Sequence, residues 1–165
     1  MPSLSDHLAA IANAKNELRA AINGAASSWE QPALAPEADE VNTSATGQPW
    51  TPKQATIHAL SALGFFTGFA AAGLGIEFGT SRPAADTTDE ALASLDAAFA
   101  AFDEIITAAN DDSLTLPAPV GDGQVSYAAT RGYQIEKDVA GALNMVELHT
   151  ADHATQIARG TTAVI

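Results

Sequence analysis

The sequence predicts an all-α protein built as a four-helix bundle. Alanine dominates an apolar fraction of 47%, and alanine has the highest intrinsic helix propensity of all residues. Runs of β-branched or alternating apolar residues, which are typical of strands, are scarce. Four stretches instead repeat apolar residues at helical spacing. With 165 residues the chain is long enough for a buried core, and we expect residues 1–165 to form a single domain.

Helix 1 is predicted from Ser5 to Asn23, because Gly24 is a natural helix end. The stretch from Ala25 to Trp50 contains three prolines and has no helical period. It is longer than an ordinary connection, so we expect a long loop between helices 1 and 2 that is either functional or mobile. The residues predicted to line the inner face of helix 1 are Leu4, Leu8, Ile11, Leu18 and Ile22.

Helix 2 has the clearest start signal in the chain. Thr51 is predicted as its N-cap and Pro52 as its first residue. Gln54 follows at the third helical position, where it completes a capping box with Thr51. Gly73 and Gly75 are expected to end the helix.

The stretch from Ile57 to Ile76 carries no formal charge, and roughly 20 apolar residues can cross a bilayer. Because it consists mostly of alanine, glycine, serine and threonine, we favour a buried helix of a soluble bundle over a membrane span. Gly64 and Gly68 form a small face, continued by Ala72, that lets another helix approach closely. This face predicts either an internal contact or a homodimer contact.

Helix 3 is predicted to begin after Thr87, which forms a second capping box with Glu90, and to end near Asn110. A second long loop, from Asp111 to Gly132, is expected between helices 3 and 4, because it contains two prolines and a Gly-Asp-Gly turn. The residues predicted to face the core from helix 3 are Leu92, Leu95, Phe99, Phe102 and Ile106.

Helix 4 is predicted from Ile135 to Arg159, with Gly160 as its end. His149 and His153 stand four positions apart, so both lie on the same face of this helix. That face is otherwise apolar, which indicates that the two histidines continue a stripe of core residues. The rest of the stripe is Val139, Leu143, Val146 and Ile157.

A third histidine, His58, lies on the predicted inner face of helix 2, in line with Ala62, Phe65 and Phe69. Inward-facing histidines on two helices indicate a site inside the bundle, where helical bundles usually hold metals. Three imidazoles on one divalent ion leave coordination positions open, as catalysis requires. His7 lies at the start of helix 1, and a helix of this length places its ends about 25 Å apart. If helix 1 runs antiparallel to helix 2, His7 lies at the opposite end of the bundle from His58. His7 is therefore left out of this site.

Two motifs resemble those of the DinB/YfiT-like superfamily, and the resemblance extends over nearly the whole chain through helix number and histidine order. The first is Trp50-Thr51-Pro52-Lys53 leading to His58, and the second is His149-xxx-His153-Ala154-Thr155-Gln156-Ile157. The resemblance implies an up-down-down-up bundle in which His58, His149 and His153 bind a divalent metal ion. Zinc or nickel is the favoured ion, with manganese or iron as alternatives.

The same resemblance implies a class of activity. Characterised members of the superfamily include transferases and isomerases that use a low-molecular-weight thiol, and many members have no known reaction. The expected partner is therefore a small-molecule substrate, with a low-molecular-weight thiol as the leading candidate. The chain has no cysteine, so it cannot supply a thiolate of its own as ligand or nucleophile.

The charge of the chain argues against two classes of partner. Its formal net charge is −13, with only seven lysines and arginines. No basic stripe is present to neutralise phosphates, so nucleic-acid binding is not expected. The same acidity opposes docking on anionic membranes. The N-terminal residues lack the basic and long apolar segments of a signal peptide, and we expect a cytoplasmic protein.

Several alternatives stay open at this point. Position 150 is threonine, so the chain lacks the His-Glu-xx-His motif of a zinc protease. A metal-dependent hydrolase is an alternative to a thiol-dependent transferase, and the sequence assigns no catalytic residue. The rival prediction is a non-catalytic bundle, such as a binding or stress-response protein, whose histidines hold a structural ion or are merely core residues.

Four residues near the histidines are predicted to matter less. Asp152 and Glu147 are expected to be solvated charges, because helix geometry turns them sideways. Gln156 lies one turn beyond His153 and could reach a bound ligand. Trp50 is expected either at the mouth of a pocket or packed against helix 4.

Overall fold

The computed structural model describes residues 2–32 and 49–162, and these residues form an all-helical protein without any β-strand. The predicted fold class, all-α, is therefore confirmed. Two short 3₁₀ turns, Ala26–Ser28 and Asp111–Thr115, accompany the α-helices. The α-helices are α1 (Leu4–Gly24), α2 (Pro52–Gly73), α3 (Thr88–Ile106), α4 (Asp122–Thr130) and α5 (Val139–Thr162).

The start of α2 confirms the predicted capping box. The backbone N–H of Gln54 donates to the Thr51 hydroxyl oxygen at 3.1 Å, and the N–H of Thr51 donates to Oε1 of Gln54 at 2.9 Å. At α3 only half of the predicted box forms. Thr87 accepts from the N–H of Glu90 at 3.2 Å, but the Glu90 carboxylate accepts from Asp86, at 2.9 Å, instead of Thr87.

Two predicted boundaries of the last helix are wrong. The helix begins at Val139 rather than Ile135, because the Asp138 carboxylate caps it by accepting from the N–H of Gly141 at 2.7 Å. It also continues through Gly160 to Thr162. A single glycine within a helix costs about 1 kcal/mol relative to alanine, which the surrounding packing can offset. The third helix is shorter than predicted, since it ends at Ile106.

The predicted loop between helices 3 and 4 contains a helix that the sequence analysis missed. Helix α4 begins after Gly121, whose N–H donates to Oε1 of Gln124 at 3.1 Å. Ala128 is fully buried and anchors this helix in the core. The prediction of a long loop between helices 1 and 2 lies largely outside the described residues.

The four long helices share one core. Helix α1 packs on α5 and α3, and α2 packs on the same two helices. Most of the apolar residues predicted to face inward are buried. Those that are only partly buried are Leu4, Leu8, Ala62, Phe69 and Leu92. The prediction that Phe65 faces the core is wrong, because half of its surface is exposed while its neighbour Phe66 is buried.

Contacts between helix ends show which ends of the helices lie next to one another. The N–H of Leu4 donates to Asp111 at 2.7 Å, which brings the start of α1 beside the 3₁₀ turn that follows α3. Lys53, at the start of α2, pairs with Glu30 at 3.0 Å and with Asp86, just before α3, at 2.9 Å. The indole N–H of Trp29 donates to the carbonyl of Ala85 at 3.1 Å. The starts of α2 and α3 therefore lie together, next to the segment that follows α1.

The small face of α2 makes an internal contact. A Cβ atom on Gly64 would lie 3.3 Å from Thr80, and one on Gly68 would lie 3.7 Å from Phe78. The segment that follows α2 thus folds back along this helix and packs on its glycines. Among the described residues, α2 is the one helix long and apolar enough to cross a membrane, with a mean hydropathy of 1.4 and 50% of that window buried. A buried core helix passes the same test.

We predict that Gly73→Ala destabilises the protein by about 1–3 kcal/mol, since overpacking a dense core forces its neighbours to move. A Cβ atom at this position would lie 2.6 Å from Cγ2 of Val139, a fully buried residue. Gly24→Ala is the matched control, because Gly24 also ends a helix and has no neighbour within 4 Å of the added atom. Urea denaturation of the two variants measures the difference. Equal stabilities would contradict this account of the α2–α5 contact.

Candidate metal centre

The structure brings the three predicted histidines together. His58 lies on α2, whereas His149 and His153 lie one turn apart on α5, and α2 packs on α5. One ligand nitrogen from each histidine lies within 4.8 Å of the other two. The ring centroids are 4.4 Å apart for His149 and His153, 5.2 Å for His58 and His149, and 4.9 Å for His58 and His153. The three side chains form a group that could hold a metal ion.

Burial keeps the imidazoles of this group neutral. His153 is 2% exposed, His149 is partly buried, and His58 is the most exposed of the three. Loss of hydration lowers the pKa of His149 to about 2, and the neighbouring His153 and His58 rings add to the effect. Burial likewise lowers the pKa of His153 to about 4 and lowers that of His58. Neutral imidazole is the form that binds metals, so the donor set fits a divalent ion.

Gln156 orients one of the three rings. Its Oε1 lies 2.7 Å from Nδ1 of His153. Because an amide oxygen can only accept, the ring donates through Nδ1–H and keeps the lone pair of Nε2 for a ligand. Histidines that bind metals are usually held by such an outer partner. Gln156, which by its position could reach a bound ligand, thus contacts His153.

Aromatic rings surround the histidine group. The indole of Trp50 lies 4.8 Å from the His58 ring and stacks on His153 at 6.2 Å, so it packs against both helices that carry the histidines. Phe66 meets the His149 ring edge to face at 5.4 Å, and Tyr127 lies 5.9 Å from it. These rings shield part of the site from water.

Phe66 and Tyr127 were not predicted as residues of the site, for two different reasons. A single row of inward-facing residues through His58 includes Phe65 and not Phe66. Because α2 packs on both α3 and α5, it buries a wider face than one such row, and this face includes Phe66. Phe66 could have been found by assuming that wider face. Tyr127 lies on α4, whose nine residues are too few to show a helical period, and no signal in the sequence places it near His149.

The prediction that Asp152 is a solvated charge is wrong. Its Oδ2 atom accepts a hydrogen bond from the hydroxyl of Tyr127 and another from Nε of Arg131 at 2.9 Å. Both donors belong to the segment of α4 and the turn after it, so Asp152 ties that segment to α5. Glu147 lies within 3.4 Å of the hydroxyl of Tyr133 and is partly buried.

A cavity of about 600 Å³ opens beside the histidine group. His149 and His153 form part of its wall, so their rings are reachable from the cavity. Phe66 and Met145 provide apolar surface, and α4 with the turn after it forms the facing wall. A volume of this size holds a small organic molecule.

His7 lies apart from the group, as predicted. It is 3% exposed on α1, and burial lowers its pKa. Its Nε2 atom has no hydrogen-bond partner within the described part of the chain. His7 is therefore a buried histidine outside the site.

No protein-family model matches this chain, and no curated protein or solved structure matches it significantly either.

We predict that the metal-free protein loses stability as the pH falls below 6.5, the ordinary pKa of histidine. Below that pH the unfolded chain binds a proton at His149, whereas the folded chain does not until the pH approaches a pKa of about 2. The free energy of unfolding then falls by about 1.4 kcal/mol per pH unit for such a residue.

Urea denaturation with a chelator, from about pH 7.5 to about pH 5, measures this loss. The His149→Gln variant removes one buried titrating group, so its stability should fall less steeply than that of the wild type. Parallel curves would mean that His149 is protonated as readily in the folded chain as in the unfolded chain.

Proposed function

We propose that this protein is a metal-dependent enzyme in which His58, His149 and His153 hold one divalent ion. The observation that carries the proposal is the convergence of their ligand nitrogens, within 4.8 Å of one another, beside a cavity of about 600 Å³ that His149 and His153 line. Three protein ligands leave a coordination position for water or substrate, which is the arrangement of catalytic rather than structural zinc sites. Imidazole nitrogens suit zinc and nickel, which are the ions we favour, and iron or manganese is the alternative.

We also propose membership of the DinB/YfiT-like superfamily, with the long helices in up-down-down-up order. The contact of Leu4 with Asp111 supports antiparallel α1 and α3. The pairing of Lys53 with Asp86 supports parallel α2 and α3. The approach of the end of α2 to the start of α5 supports an antiparallel pair. The histidine order of the chain is the same as in that superfamily.

The reaction we propose is transfer or isomerisation with a low-molecular-weight thiol. A bound divalent ion would lower the pKa of a thiol or a water molecule, or polarise a carbonyl. The chain contributes no cysteine, so the sulfur nucleophile has to come from a small molecule. Gln156 holds the His153 ring in place, and Trp50 with Phe66 limits the access of water. Metal-dependent hydrolysis is the second candidate, because the same open position can activate water.

We expect the purified protein, prepared without a histidine tag, to hold about one divalent ion per chain. Alanine replacement of His58, His149 or His153 should each abolish that stoichiometry while leaving the helix content unchanged. His7→Ala is the control, because His7 is as deeply buried as His153 but lies outside the group. Elemental analysis and circular dichroism provide the two readouts.

Absence of metal, even after incubation with zinc, nickel and manganese, would mean that the three histidines are core residues and would end the enzyme proposal. If metal is present, loaded protein is tested for consumption of low-molecular-weight thiols with electrophilic acceptors and for ester hydrolysis. An ion whose removal greatly lowers the melting temperature, in a protein without either activity, would favour the structural role.

We predict that Gln156→Ala weakens metal binding by roughly 10- to 100-fold, because the His153 ring loses its outer hydrogen-bond partner. Gln156→Glu keeps an acceptor at the same position and should retain most of the affinity. Thr155→Ala is the control, since Thr155 is exposed and lines a different groove, between α1 and α5. Competition titration against a zinc indicator measures all three variants. An unchanged affinity in Gln156→Ala would show that Gln156 does not position the ring.

A further inference from the structure

The cavity beside the histidine group offers a ligand apolar surface and uncharged polar groups. Phe66 from α2 and Met145 from α5 line its apolar side. The facing side is α4 with the turn after it, where the side chains of Gln124, Ser126 and Thr130 are polar but carry no charge. These surfaces suit a small molecule with an apolar body and few polar atoms.

The one formal charge among the described residues that line the cavity is already compensated within the protein. It belongs to Arg131, whose Nε donates to Oδ2 of Asp152 at 2.9 Å. The two side chains are 26% and 29% exposed, so the pair is largely withdrawn from water. An ionic ligand in the cavity would lose hydration without meeting an unpaired opposite charge, and that loss costs free energy. The lining therefore favours an uncharged ligand.

Gln124 has the best-defined hydrogen bonding of the polar residues in this wall. The backbone N–H of Gly121 donates to its Oε1 at 3.1 Å in the cap of α4. Because a backbone N–H can only donate, this bond fixes which end of the amide is oxygen and which is nitrogen. The Nε2 group carries two N–H donors, and neither has a partner among the described residues.

The other polar side chains of the wall fit that role less well. The hydroxyl of Thr130 donates to the carbonyl of Tyr127 at 2.7 Å, and the Tyr127 hydroxyl donates to Asp152. Ser126 is exposed, so its hydroxyl bonds readily with water. Gln124 is partly buried and is held at its oxygen end only. A donor in this state is satisfied when a ligand brings an acceptor, such as a carbonyl oxygen.

We propose that the cavity binds an uncharged small molecule with an apolar body, and that Gln124 donates a hydrogen bond to a carbonyl oxygen of that molecule. The apolar body would lie on Phe66 and Met145. This inference names the substrate class of the proposed function and rests on that function for the reaction, but the binding site can be tested without any turnover.

Four probes of nearly the same shape separate charge from hydrogen bonding. Acetophenone is uncharged with a carbonyl acceptor, benzoate is an anion, benzamidinium is a cation, and α-methylstyrene has no oxygen or nitrogen acceptor. Their dissociation constants are measured at neutral pH by chemical-shift titration of metal-free protein. Acetophenone and benzamidinium are also titrated on zinc-loaded protein, whereas benzoate is not, because a carboxylate can bind zinc directly. We expect acetophenone to bind at least about tenfold more tightly than either ion.

Gln124→Glu isolates the proposed donor. This variant keeps an oxygen for the N–H of Gly121, so the cap of α4 remains, but it loses both N–H donors. Its affinity for acetophenone should fall by about three- to tenfold relative to its affinity for α-methylstyrene. The added carboxylate should also make benzamidinium bind at least about threefold more tightly than it binds the wild type.

Gln54→Glu is the matched control. Gln54 caps α2 in the same way, by accepting from the N–H of Thr51 at 2.9 Å, but it is exposed and is not among the described residues that line the cavity. This variant should leave all four dissociation constants within about twofold of the wild type. Circular dichroism verifies that each variant is folded. If Gln124→Glu fails to fold, Gln124→Met provides the comparison of acetophenone with α-methylstyrene.

Three results would overturn the inference. Binding of either ion as tightly as acetophenone would show that the cavity does not select uncharged ligands. Binding of none of the four probes would show that the cavity takes no such molecule. An unchanged ratio of the affinities for acetophenone and α-methylstyrene in Gln124→Glu would show that Gln124 does not donate to the ligand.

Failure of the proposed function is distinguishable from these results. The expected selectivity in a protein that binds no metal would leave the cavity and Gln124 assigned and would refute the metal-dependent enzyme alone. A protein that holds its ion but lacks the selectivity would refute the assignment of the cavity alone.

Discussion

The close packing of α2 against α5 is the constraint on which the rest of the structure depends. At one end, Gly73 allows the side chain of Val139 to approach the backbone of α2, where no other residue would fit without a shift. This contact sets the position of the two helices along one another. At the other end, the same alignment places His58 level with His149 and His153. A small shift between the helices would separate the imidazoles, so the site depends on core packing as well as on its own residues.

A buried imidazole is stabilised when its nitrogens have partners, and His153, at 2% exposure, is the most buried of the three histidines. Unpartnered polar atoms in a protein interior cost free energy, and native proteins contain few of them. Within the described residues the fully buried side-chain atoms without a partner are Nε2 of His7 and Oγ1 of Thr56. The nitrogens of His149 and His153 are not among them, because these rings adjoin the cavity or, at Nδ1 of His153, contact Gln156. Both rings thus adjoin a space that a ligand can fill.

The parts of the fold that could be predicted from the sequence are those with local causes. The N-cap of α2 depends on Thr51 and Gln54 alone, and both bonds form as predicted. The histidine spacing on α5 is likewise a property of one helix. Helix α4 could not be predicted, since its nine residues are too few to show a helical period. It is attached to the rest of the protein by the burial of Ala128 and by contacts with Asp152, which are tertiary contacts. The role of Asp152 depends on residues more than twenty positions earlier in the chain, a separation over which sequence spacing carries no information.

The site therefore divides between two kinds of structure. The three histidines of this site stand on long helices whose packing fixes them within a dense core, and a site that holds a metal ion requires such rigidity. Its facing wall stands on a short helix joined to that core by few residues, and such segments can change without disturbing the fold. Asp152 and His153 connect the two parts, because adjacent residues of α5 hold Arg131 on one side and belong to the histidine group on the other. In this arrangement the histidines form a group that could hold a metal ion, and α4 with the turn after it forms one wall of the adjoining cavity.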